Sequence, residues 1–360
     1  MGEKKLMRGN EAIAEAAIRA GCRNYFAYPI TPQAELLQWM AENMPEQENG
    51  TFLQAESEIG AISMVYGAAS AGERTMTSSS SPGISLKQEG ISYLAGSELP
   101  AVIVNIMRGG PGLGNIQPAQ GDYFQATKGG GHGDYKLIAL APSTVPEAAE
   151  LTFEAFELAD KYRIPVIVLA DGMIGQMMEP VELPPPVDTS NFPDKLWAAT
   201  GTDGRDSNTI RSFALGAEDL KSINQDLQNK YEDIREAETR FEEIGTEDPD
   251  ILLVGFGTVA RIAKSTRRLA QEQGINLGIF RPVTLWPFPG ARLAELSKKV
   301  DTVLTVEMNA GQMLEDVRLS VNSEVNTPFY GEQGGVVPDP GYGNFICDHV
   351  SGYSSRAGYC

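Results

Sequence analysis

Cysteine and histidine are both scarce in this sequence. The cysteines, Cys22, Cys347 and Cys360, are scattered along 360 residues, and the histidines are His132 and His349. A four-thiolate iron–sulfur site or a zinc ribbon needs several closely spaced ligands, so neither is expected. Two histidines cannot build a histidine-rich metal centre. If the protein takes part in redox chemistry, we expect the metal to lie in another chain.

Basic residues and long apolar runs are also in short supply. The 29 lysines and arginines are outnumbered by 48 aspartates and glutamates, giving a formal net charge of −19. Such a charge favours solubility and opposes binding to nucleic acid or anionic membranes. No apolar run reaches the ~18 residues of a spanning helix, and MGEKKLMRGN has no signal-peptide core. We therefore expect a cytoplasmic protein with neither nucleic acid nor membrane as a partner.

The chain does contain a regular alternation of short apolar runs, helical patterns and glycine-rich turns. This alternation is typical of the α/β class, with a mostly parallel sheet flanked by helices. In the first half, strands are predicted near Tyr25–Tyr28, Thr51–Gln54, Thr75–Ser78, Ala101–Ile106, Lys136–Leu140 and Pro165–Leu169. Helices are predicted near Gly9–Ala20, Gln33–Asn43, Glu58–Ala71, Leu86–Ala95 and Val145–Tyr162.

A composition break follows this first unit. The segment Val181–Leu196, VELPPPVDTSNFPDKL, is rich in proline and is typical of a linker. Beyond it, apolar residues recur at helical spacing in a strongly charged stretch, which predicts a helix that docks on its own domain or on a partner subunit. The stripe consists of Leu220, Ile223, Leu227, Tyr231, Ile234 and Phe241.

A second, smaller α/β unit is predicted from ILLVGFGTVA to about Tyr330. Its strands are expected at Ile251–Val254, Asn276–Ile279 and Thr302–Val306. The division we predict is residues 1–180, then 181–245 for linker and charged helix, then 246–360 for the second domain with a C-terminal tail.

The stretch GFGTVA, Gly255–Ala260, matches the glycine pattern of dinucleotide-binding folds. Such a site wants an acidic residue about 20 positions further on, at the end of the next strand. That strand ends in IFRP and offers Arg281 instead. A tight strand-to-helix turn is therefore the favoured interpretation.

Polar groups recur where the first four predicted strands end. YPITPQ places Thr31 between two prolines, each of which fixes its own φ and stiffens the residue before it. Glu58 opens a helix of small and apolar residues, and Ser78–Ser81 and Arg108 follow the next two strands. Alone, these residues would be explained as a helix cap, a polar turn and a surface ion pair. Because ligands bind outside the carboxyl ends of strands in open α/β sheets, we expect the four groups to share one crevice.

These motifs together carry a family resemblance. YPITP, ESEIGA, TSSSSPGISL, MRGGPGLGN and GGGHGDY, followed by RPVTLWPFP and VEMNAGQM, resemble the α subunit of the 2-oxoacid:ferredoxin oxidoreductases. The similarity is to the 3-methyl-2-oxobutanoate (2-oxoisovalerate) type in particular, and it covers nearly the whole chain. It implies a thiamine diphosphate-binding fold of the pyrimidine type, joined to a transketolase C-terminal-like α/β domain.

The resemblance also implies cofactors and partners beyond this chain. In the family, a β subunit holds the diphosphate and Mg²⁺ of thiamine diphosphate through a GDG…N motif that this sequence lacks. Iron–sulfur clusters lie in γ and ferredoxin-like subunits, and ferredoxin accepts the electrons. The implied reaction is oxidative decarboxylation of a 2-oxoacid, with coenzyme A taking the acyl group. No metal ligands are expected in this chain.

Residue roles follow from the resemblance in the same way. Glu58 matches the family's glutamate at N1′ of the cofactor's aminopyrimidine, although its protonation state is left open. Thr31 is expected to hydrogen-bond the substrate, and Arg108 matches the arginine that grips the substrate's carboxylate, a role suited to a bidentate fork. The other implied cofactor contacts are Pro29, Ile30, Ser79 and Ser80.

The substrate is predicted from one loop. Relatives acting on 2-oxoglutarate carry an arginine before the HG of KGGGHGDY, whereas this chain has Gly131. Burying a second carboxylate without a partner is costly, while each buried CH₂ of a branched tail contributes roughly 0.8 kcal/mol. We therefore expect 2-oxoisovalerate, with 2-oxoglutarate or pyruvate as alternatives. Lys128 and His132 are candidate substrate contacts, since either could replace the missing cation.

Two other classes of function stay open. A non-oxidative thiamine enzyme would share Glu58 without an iron–sulfur partner. A structural or assembly subunit would tolerate the loss of Glu58. The fold alone does not distinguish these classes from an oxidoreductase subunit, so the distinction must come from the residues of the site.

Overall fold

The computed structural model describes residues 4–338. Its strands are, in chain order, β1 (Lys5–Arg8), β2 (Asn24–Ala27), β3 (Thr51–Gln54), β4 (Thr75–Ser79), β5 (Ala101–Met107), β6 (Ile138–Leu140), β7 (Pro165–Asp171), β8 (Met178–Val181), β9 (Phe241–Ile244), β10 (Ile251–Val254), β11 (Leu277–Pro282), β12 (Thr284–Trp286), β13 (Val303–Glu307) and β14 (Phe329–Gly331).

The helices are α1 (Gly9–Arg19), α2 (Ala34–Asn43), α3 (Glu58–Ser70), α4 (Ser81–Gly96), α5 (Tyr123–Thr127), α6 (Val145–Tyr162), α7 (Gly172–Gln176), α8 (Ala217–Glu238), α9 (Gly257–Glu272), α10 (Gly290–Ser297) and α11 (Met313–Ser320). Within residues 4–338, no helix has the length and apolarity needed to span a membrane. Cys347, His349, Cys360 and the predicted C-terminal tail lie outside the described residues.

The larger sheet has the strand order β12-β6-β7-β5-β4-β2-β3. All neighbouring pairs are parallel except β12 with β6. Every residue of the central strands β4, β5 and β7 is buried, because helices cover both faces of the sheet. This explains why those strands are continuous runs without a polar alternation. The expected α/β class with a mostly parallel sheet is confirmed, and the predicted strands agree with the observed ones to within two residues.

The smaller sheet has the order β14-β13-β10-β11-β9, with β9 antiparallel to β11. The three predicted strands of this unit are present as β10, β11 and β13. Strand β9 lies inside the range assigned to linker and charged helix, yet it pairs in this sheet. Strand β12 comes from the second half of the chain but completes the larger sheet, which no periodicity indicated.

The charged helix α8 ends at Glu238, so including Phe241 in its apolar stripe was wrong. Phe241 belongs to β9 and stacks on Phe280, with ring centroids 5.5 Å apart. Leu227, Tyr231 and Ile234 are buried, and Tyr231 meets Trp286 edge to face. The C-terminal part of the stripe, from Leu227 to Ile234, therefore packs on the chain's own core.

The strand-to-helix turn of GFGTVA forms part of a sheet junction made by Gln120, Asp171, Thr258 and Arg281. Asp171 is the last residue of β7 in the larger sheet and accepts hydrogen bonds from the Thr258 amide and hydroxyl, at 2.9 and 2.6 Å. Gly257 has φ 56°, and a Cβ there would lie 2.8 Å from both Asp171 Oδ2 and Gln120 Nε2. The glycine is thus explained by a left-handed backbone and by close approach of the two sheets.

Arg281, which stands where a dinucleotide site wants an acid, is 5% exposed and belongs to the same junction. It donates to Glu147 at 2.6 and 2.8 Å and lies 2.8 Å from Glu242. The Arg281 guanidinium holds the pKa of Glu147 below its usual value, against the opposing effect of burial. The GFGTVA pattern and Arg281 are therefore explained by packing at the junction of the two sheets.

Candidate functional site

The carboxyl ends of β5, β4, β2 and β3 form a crevice defined by Arg108, Ser79, Ser80, Thr31 and Glu58. These four strands are adjacent and parallel, so the segments that follow them emerge at one edge. The Arg108 Nη1 donates to the Thr31 carbonyl at 2.8 Å. A Cβ placed on Gly83, in the first turn of α4, would lie 2.1 Å from Ser79 Oγ and 2.8 Å from Glu58 Oε1. The structure thus brings together all four strand-end groups that the sequence singled out.

Glu58 is the first residue of α3, and the helix start is built to present it. Ser57 caps the helix by accepting from the Gly60 amide at 3.1 Å. Glu58 itself is only 7% exposed, yet within residues 4–338 its carboxyl group makes no hydrogen bond or ion pair. Gly83 leaves the space that the carboxyl group occupies. A buried carboxyl group without a partner is available to a ligand.

Ser79 and Ser80 continue this pattern at the end of β4. Both residues are fully buried, and both hydroxyl oxygens lack a hydrogen-bond partner among the described residues. Their neighbour Ser78 differs, since its hydroxyl contacts Tyr25 OH and Gln33 Oε1. An unsatisfied buried hydroxyl costs about 1–3 kcal/mol. Two such groups beside a free carboxyl group indicate a polar ligand site.

Arg108 ties two loops together at the crevice. Its Nη2 donates to the Leu113 carbonyl at 2.9 Å, in addition to the bond from Nη1 to Thr31. Its Nε is buried and has no hydrogen-bond partner within residues 4–338. A guanidinium group has five N–H donors, so donors remain for a ligand carboxylate. Sequence reasoning anticipated the position of Arg108 but not its backbone partners.

The YPITPQ loop is anchored by hydrogen bonds toward its C-terminal end and is exposed to solvent in the residues before it. The Pro32 carbonyl accepts from Asn10 at 2.8 Å and from Gln176 at 2.9 Å. Pro29 and Thr31 are exposed, and Ile30 is half-buried. The stiff loop thus presents Thr31 on the open side of the crevice, where a ligand or a partner can reach it.

Two buried residues beside the crevice were missed. Asp122 accepts from Ser81 and Asn105 at 2.5 and 2.9 Å, and burial raises the pKa of its carboxyl group. Lys87 of α4 is fully buried, and its pKa is lowered to about 7 by burial, against the charge of Glu58. A lysine in a helical pattern predicts a solvated face, so no sequence signal indicated that Lys87 is buried.

Lys128 and His132 are not brought to the crevice in this chain. Lys128 forms an ion pair with Asp316 of α11, and His132 is exposed. The loop between them rests on Gln88 and Ser92 of α4, as the neighbours of Gly131 show. At 1.5 Å per residue, Gln88 lies about 10 Å along the helix from Ser81. Within residues 4–338 there is no group of three or more potential metal ligands.

Comparison with protein-family models gives two matches. Residues 15–245 match the thiamine diphosphate-binding model of pyruvate flavodoxin/ferredoxin oxidoreductase. Residues 249–341 match core domain II of pyruvate:ferredoxin oxidoreductase.

Curated relatives are similar over most of the chain. It is 51% identical over 316 residues to the ketoisovalerate oxidoreductase subunit VorB of Methanothermobacter thermautotrophicus, covering 88% of this chain and 89% of that protein. It is 42% identical to the 2-oxoglutarate synthase subunit KorA of Archaeoglobus fulgidus, covering 88% of this chain and 91% of that one.

Two solved structures share the fold. One is the 2-oxoglutarate:ferredoxin oxidoreductase of Magnetococcus marinus with 2-oxoglutarate, coenzyme A and succinyl-CoA bound, at 26% identity and a TM-score of 0.84. The match covers 98% of this chain but 65% of that one, so the neighbour is substantially longer. The other is a split-gene transketolase, at 14% identity and a TM-score of 0.56 over 92% of this chain and 90% of that one, which indicates a shared fold alone. The expected thiamine diphosphate-binding fold is confirmed.

Proposed function

The chain belongs to the 2-oxoacid:ferredoxin oxidoreductase family, and from that membership we propose that it works with partner subunits to decarboxylate a branched-chain 2-oxoacid oxidatively. The 2-oxoacid and coenzyme A are converted to acyl-CoA, CO₂ and one proton, and two electrons pass to ferredoxin. The observation that supports this proposal is the free Glu58 carboxyl group beside the unpaired Ser79 and Ser80 hydroxyls.

The crevice residues fit the pyrimidine end of thiamine diphosphate. Bound there, the cofactor would supply an electron sink for the decarboxylation. Glu58 would hold and return a proton at the pyrimidine nitrogen N1′. The Ser79 and Ser80 hydroxyls would hydrogen-bond the ligand and gain the partners they lack. Pro29 and Ile30 would pack against its ring, as their place on the open loop allows.

Arg108 and Thr31 would orient the substrate. The free N–H groups of Arg108 suit a carboxylate, and the Thr31 hydroxyl stands on the exposed side of the same loop. Because the Arg108 guanidinium also holds the Thr31 backbone, the two groups keep a fixed relation. This fixed relation would align the carboxylate and keto oxygens before reaction.

Partner subunits would complete the site. The sequence has no GDG…N motif, so a β subunit would hold the diphosphate and Mg²⁺, while γ and ferredoxin-like subunits would carry the iron–sulfur clusters. The exposed loop of Pro29 and Thr31 is where a second chain would meet the crevice.

The preferred substrate would be 2-oxoisovalerate. The 51% identity to a ketoisovalerate oxidoreductase subunit supports this choice. Lys128 is already paired with Asp316, and no arginine stands at Gly131, so neither position offers a free cation for a second carboxylate. The 42% identity to a 2-oxoglutarate synthase subunit makes 2-oxoglutarate the second candidate.

The test is kcat/KM of the complete complex for both substrates. We expect a higher value for 2-oxoisovalerate, unchanged in Lys128→Ala and in the control Lys221→Ala, an exposed lysine of α8. A preference for 2-oxoglutarate that Lys128→Ala removes, and Lys221→Ala does not, would show that Lys128 is the substrate cation and that the assignment is wrong.

A further inference from the structure

Asp122, Ser81 and Asn105 form a closed set of hydrogen bonds next to Arg108. The Ser81 hydroxyl and the Asn105 side-chain nitrogen both donate to Asp122 Oδ2, at 2.5 and 2.9 Å. The Ser81 backbone amide donates to Asn105 Oδ1 at 3.1 Å. Each of the three residues is thus bonded to the other two. The cluster joins β5, the first residue of α4 and the residue before α5.

This cluster contacts Arg108 through the Ser81 hydroxyl. With its own hydrogen directed to Asp122, the Ser81 oxygen accepts from the Arg108 backbone amide at 3.0 Å. Arg108 is the residue directly after β5, so this bond fixes the point where its side chain leaves the sheet. The guanidinium group at the other end is held by the Thr31 and Leu113 carbonyls. The arginine is therefore fixed at both its backbone and its guanidinium group.

The ordinary structural use of Asp122 is not realised. An aspartate before a helix accepts hydrogen bonds from the first amides of that helix. Within the described part of the chain, the Asp122 side chain does not cap α5 in this way. Its bonds go instead to two residues 41 and 17 positions earlier. The carboxyl group is thus committed to the end of β5 rather than to its own helix.

The segment that carries Asp122 is held by Gln312, the residue before α11. Gln312 Nε2 donates to the Gly121 carbonyl at 2.7 Å, and Gln312 Oε1 accepts from the Phe124 amide at 2.8 Å. The two bonds flank Asp122 on either side. Gln312 belongs to the VEMNAGQM motif, which the proposed function does not otherwise use. The second α/β unit therefore sets the position of the Asp122 carboxyl group.

We propose that Asp122 is a positioning residue that orients Arg108 for the substrate's carboxylate and acts through Ser81. The inference rests on the proposed role of Arg108 and adds the residues that direct it. While Asp122 accepts the hydroxyl hydrogen, the Ser81 oxygen is free to accept from the Arg108 amide. Without Asp122, that hydrogen turns to the Arg108 carbonyl, 3.3 Å away, and the backbone of Arg108 loses its single arrangement.

The first test is steady-state kinetics of the complete complex with 2-oxoisovalerate. Asp122→Ala should raise KM about tenfold or more, the effect of weakening a hydrogen bond to a charged group, while kcat falls less. Asp122→Asn should stay within about threefold of the wild type, because both bonds end on one oxygen and an amide oxygen can accept them. A wild-type KM in Asp122→Ala, or an equal rise in both variants, would overturn the proposal.

Ser81→Ala tests the same connection with a smaller change. Its KM should rise as in Asp122→Ala, and the double variant should be no worse than either single one, because all of them break one path to Arg108. The matched control is Ser70→Ala, in the last turn of α3, where the hydroxyl donates to the Tyr66 carbonyl. It should leave KM unchanged. Additive effects in the double variant would contradict the proposal.

Hydrogen–deuterium exchange of the Arg108 backbone amide gives a readout without turnover. In the complete complex freed of cofactor and substrate, the peptide of residues 104–110 should exchange about tenfold faster at this amide in Asp122→Ala, because its acceptor is no longer fixed. Asp122→Asn should exchange like the wild type. Unchanged exchange in Asp122→Ala would count against any connection between the two residues.

Two measurements separate this inference from the proposed function. Arg108→Ala should raise KM at least as much as Asp122→Ala, and a normal KM there would remove the proposed role of Arg108 itself. A raised KM in Arg108→Ala, combined with wild-type KM and amide exchange in Asp122→Ala, would overturn the Asp122 inference alone. Hydrogen exchange at C2 of bound thiamine diphosphate should stay normal in Asp122→Ala. Slow exchange there would show a general loss of the site rather than a change at Arg108.

Discussion

The sheet junction and the crevice both bury polar side chains at the ends of parallel strands. At the junction, Asp171 accepts hydrogen bonds from Thr258, Met173 and Ile174, and Gln120 is bonded through both its amide oxygen and its amide nitrogen. At the crevice, Ser79 and Ser80 are as deeply buried and Glu58 is 7% exposed, yet among the described residues their side chains have no hydrogen-bond partner. The polar groups of the junction are hydrogen-bonded within the chain itself. Those of the crevice would find hydrogen-bond partners only in a bound ligand.

The largest effect should come from the crevice carboxyl group. Glu58→Gln should slow C2 hydrogen exchange of bound thiamine diphosphate by about 10²–10⁴-fold, because a proton-transfer group is lost. The melting temperature and assembly of the complex should be unchanged. The matched control is Glu56→Gln, an exposed glutamate two residues earlier. Equal exchange rates in the two variants would refute the role of Glu58 and favour a purely structural subunit.

The junction carboxylate should show the opposite behaviour. Asp171→Ala leaves the buried Thr258 hydroxyl and three backbone amides without an acceptor, so the free energy of unfolding should fall by about 3 kcal/mol or more. Urea denaturation of the full chain measures this loss. Asp188→Ala removes an exposed cap of the Ser190 amide and should cost about 1 kcal/mol or less. Similar losses at both positions would mean that the junction does not hold the sheets together.

The contribution of Lys87 to the free energy of unfolding should depend on pH. Its folded pKa of about 7 lies below the ordinary value of 10.5, so between these values the unfolded chain binds the proton that the folded chain has released. Unfolding free energy should therefore rise with pH in this window, by up to about 1.4 kcal/mol per pH unit from this residue. Lys87→Met should lack this contribution, and the two proteins should converge as pH approaches 10.5.

The measurement is urea denaturation of both proteins at a series of pH values from about 7.5 upward. The difference between wild type and Lys87→Met isolates the lysine from other titrating groups. A constant difference across the series would show that Lys87 keeps its charge in the folded chain.

The smallest effect contrasts two adjacent serines of β4. Ser79→Ala removes an unpaired hydroxyl and should change unfolding free energy by less than about 0.5 kcal/mol, while weakening thiamine diphosphate binding up to about tenfold. Ser78→Ala strips a partner from Tyr25 and Gln33 and should cost about 1–3 kcal/mol. Calorimetry and urea denaturation together check the pair, and a larger loss of stability in Ser79→Ala than in Ser78→Ala would contradict the contrast.

Much of this arrangement could be predicted from the sequence because it depends on local patterns. Buried parallel strands are continuous apolar runs, and the residues that follow them must emerge at one edge. Thr31, Glu58, Ser79 and Arg108 were identified in this way, and the structure places them together. Their chemical roles stay predictions, as does the division into domains.

The rest depends on contacts between residues far apart in the chain. The bonds from Asp171 to Thr258 span 87 positions, and the Arg108 bond to the Thr31 carbonyl spans 77. The burial of Lys87 could not be predicted for a different reason. A lysine amid mixed polar and apolar neighbours indicates a solvated helix face. Its burial comes from the two glycines, Gly83 and Gly90, that let α4 approach α3.

Strand β12 has a consequence for how the protein is made. Because Thr284–Trp286 pairs with β6, strand β6 is an exposed edge of the larger sheet until residue 286 has been synthesised. An open strand border invites pairing with other chains. A fragment that ends at the proline-rich segment would therefore expose the edge of β6 to solvent. Expression of the first unit alone should yield aggregates where the longer chain does not.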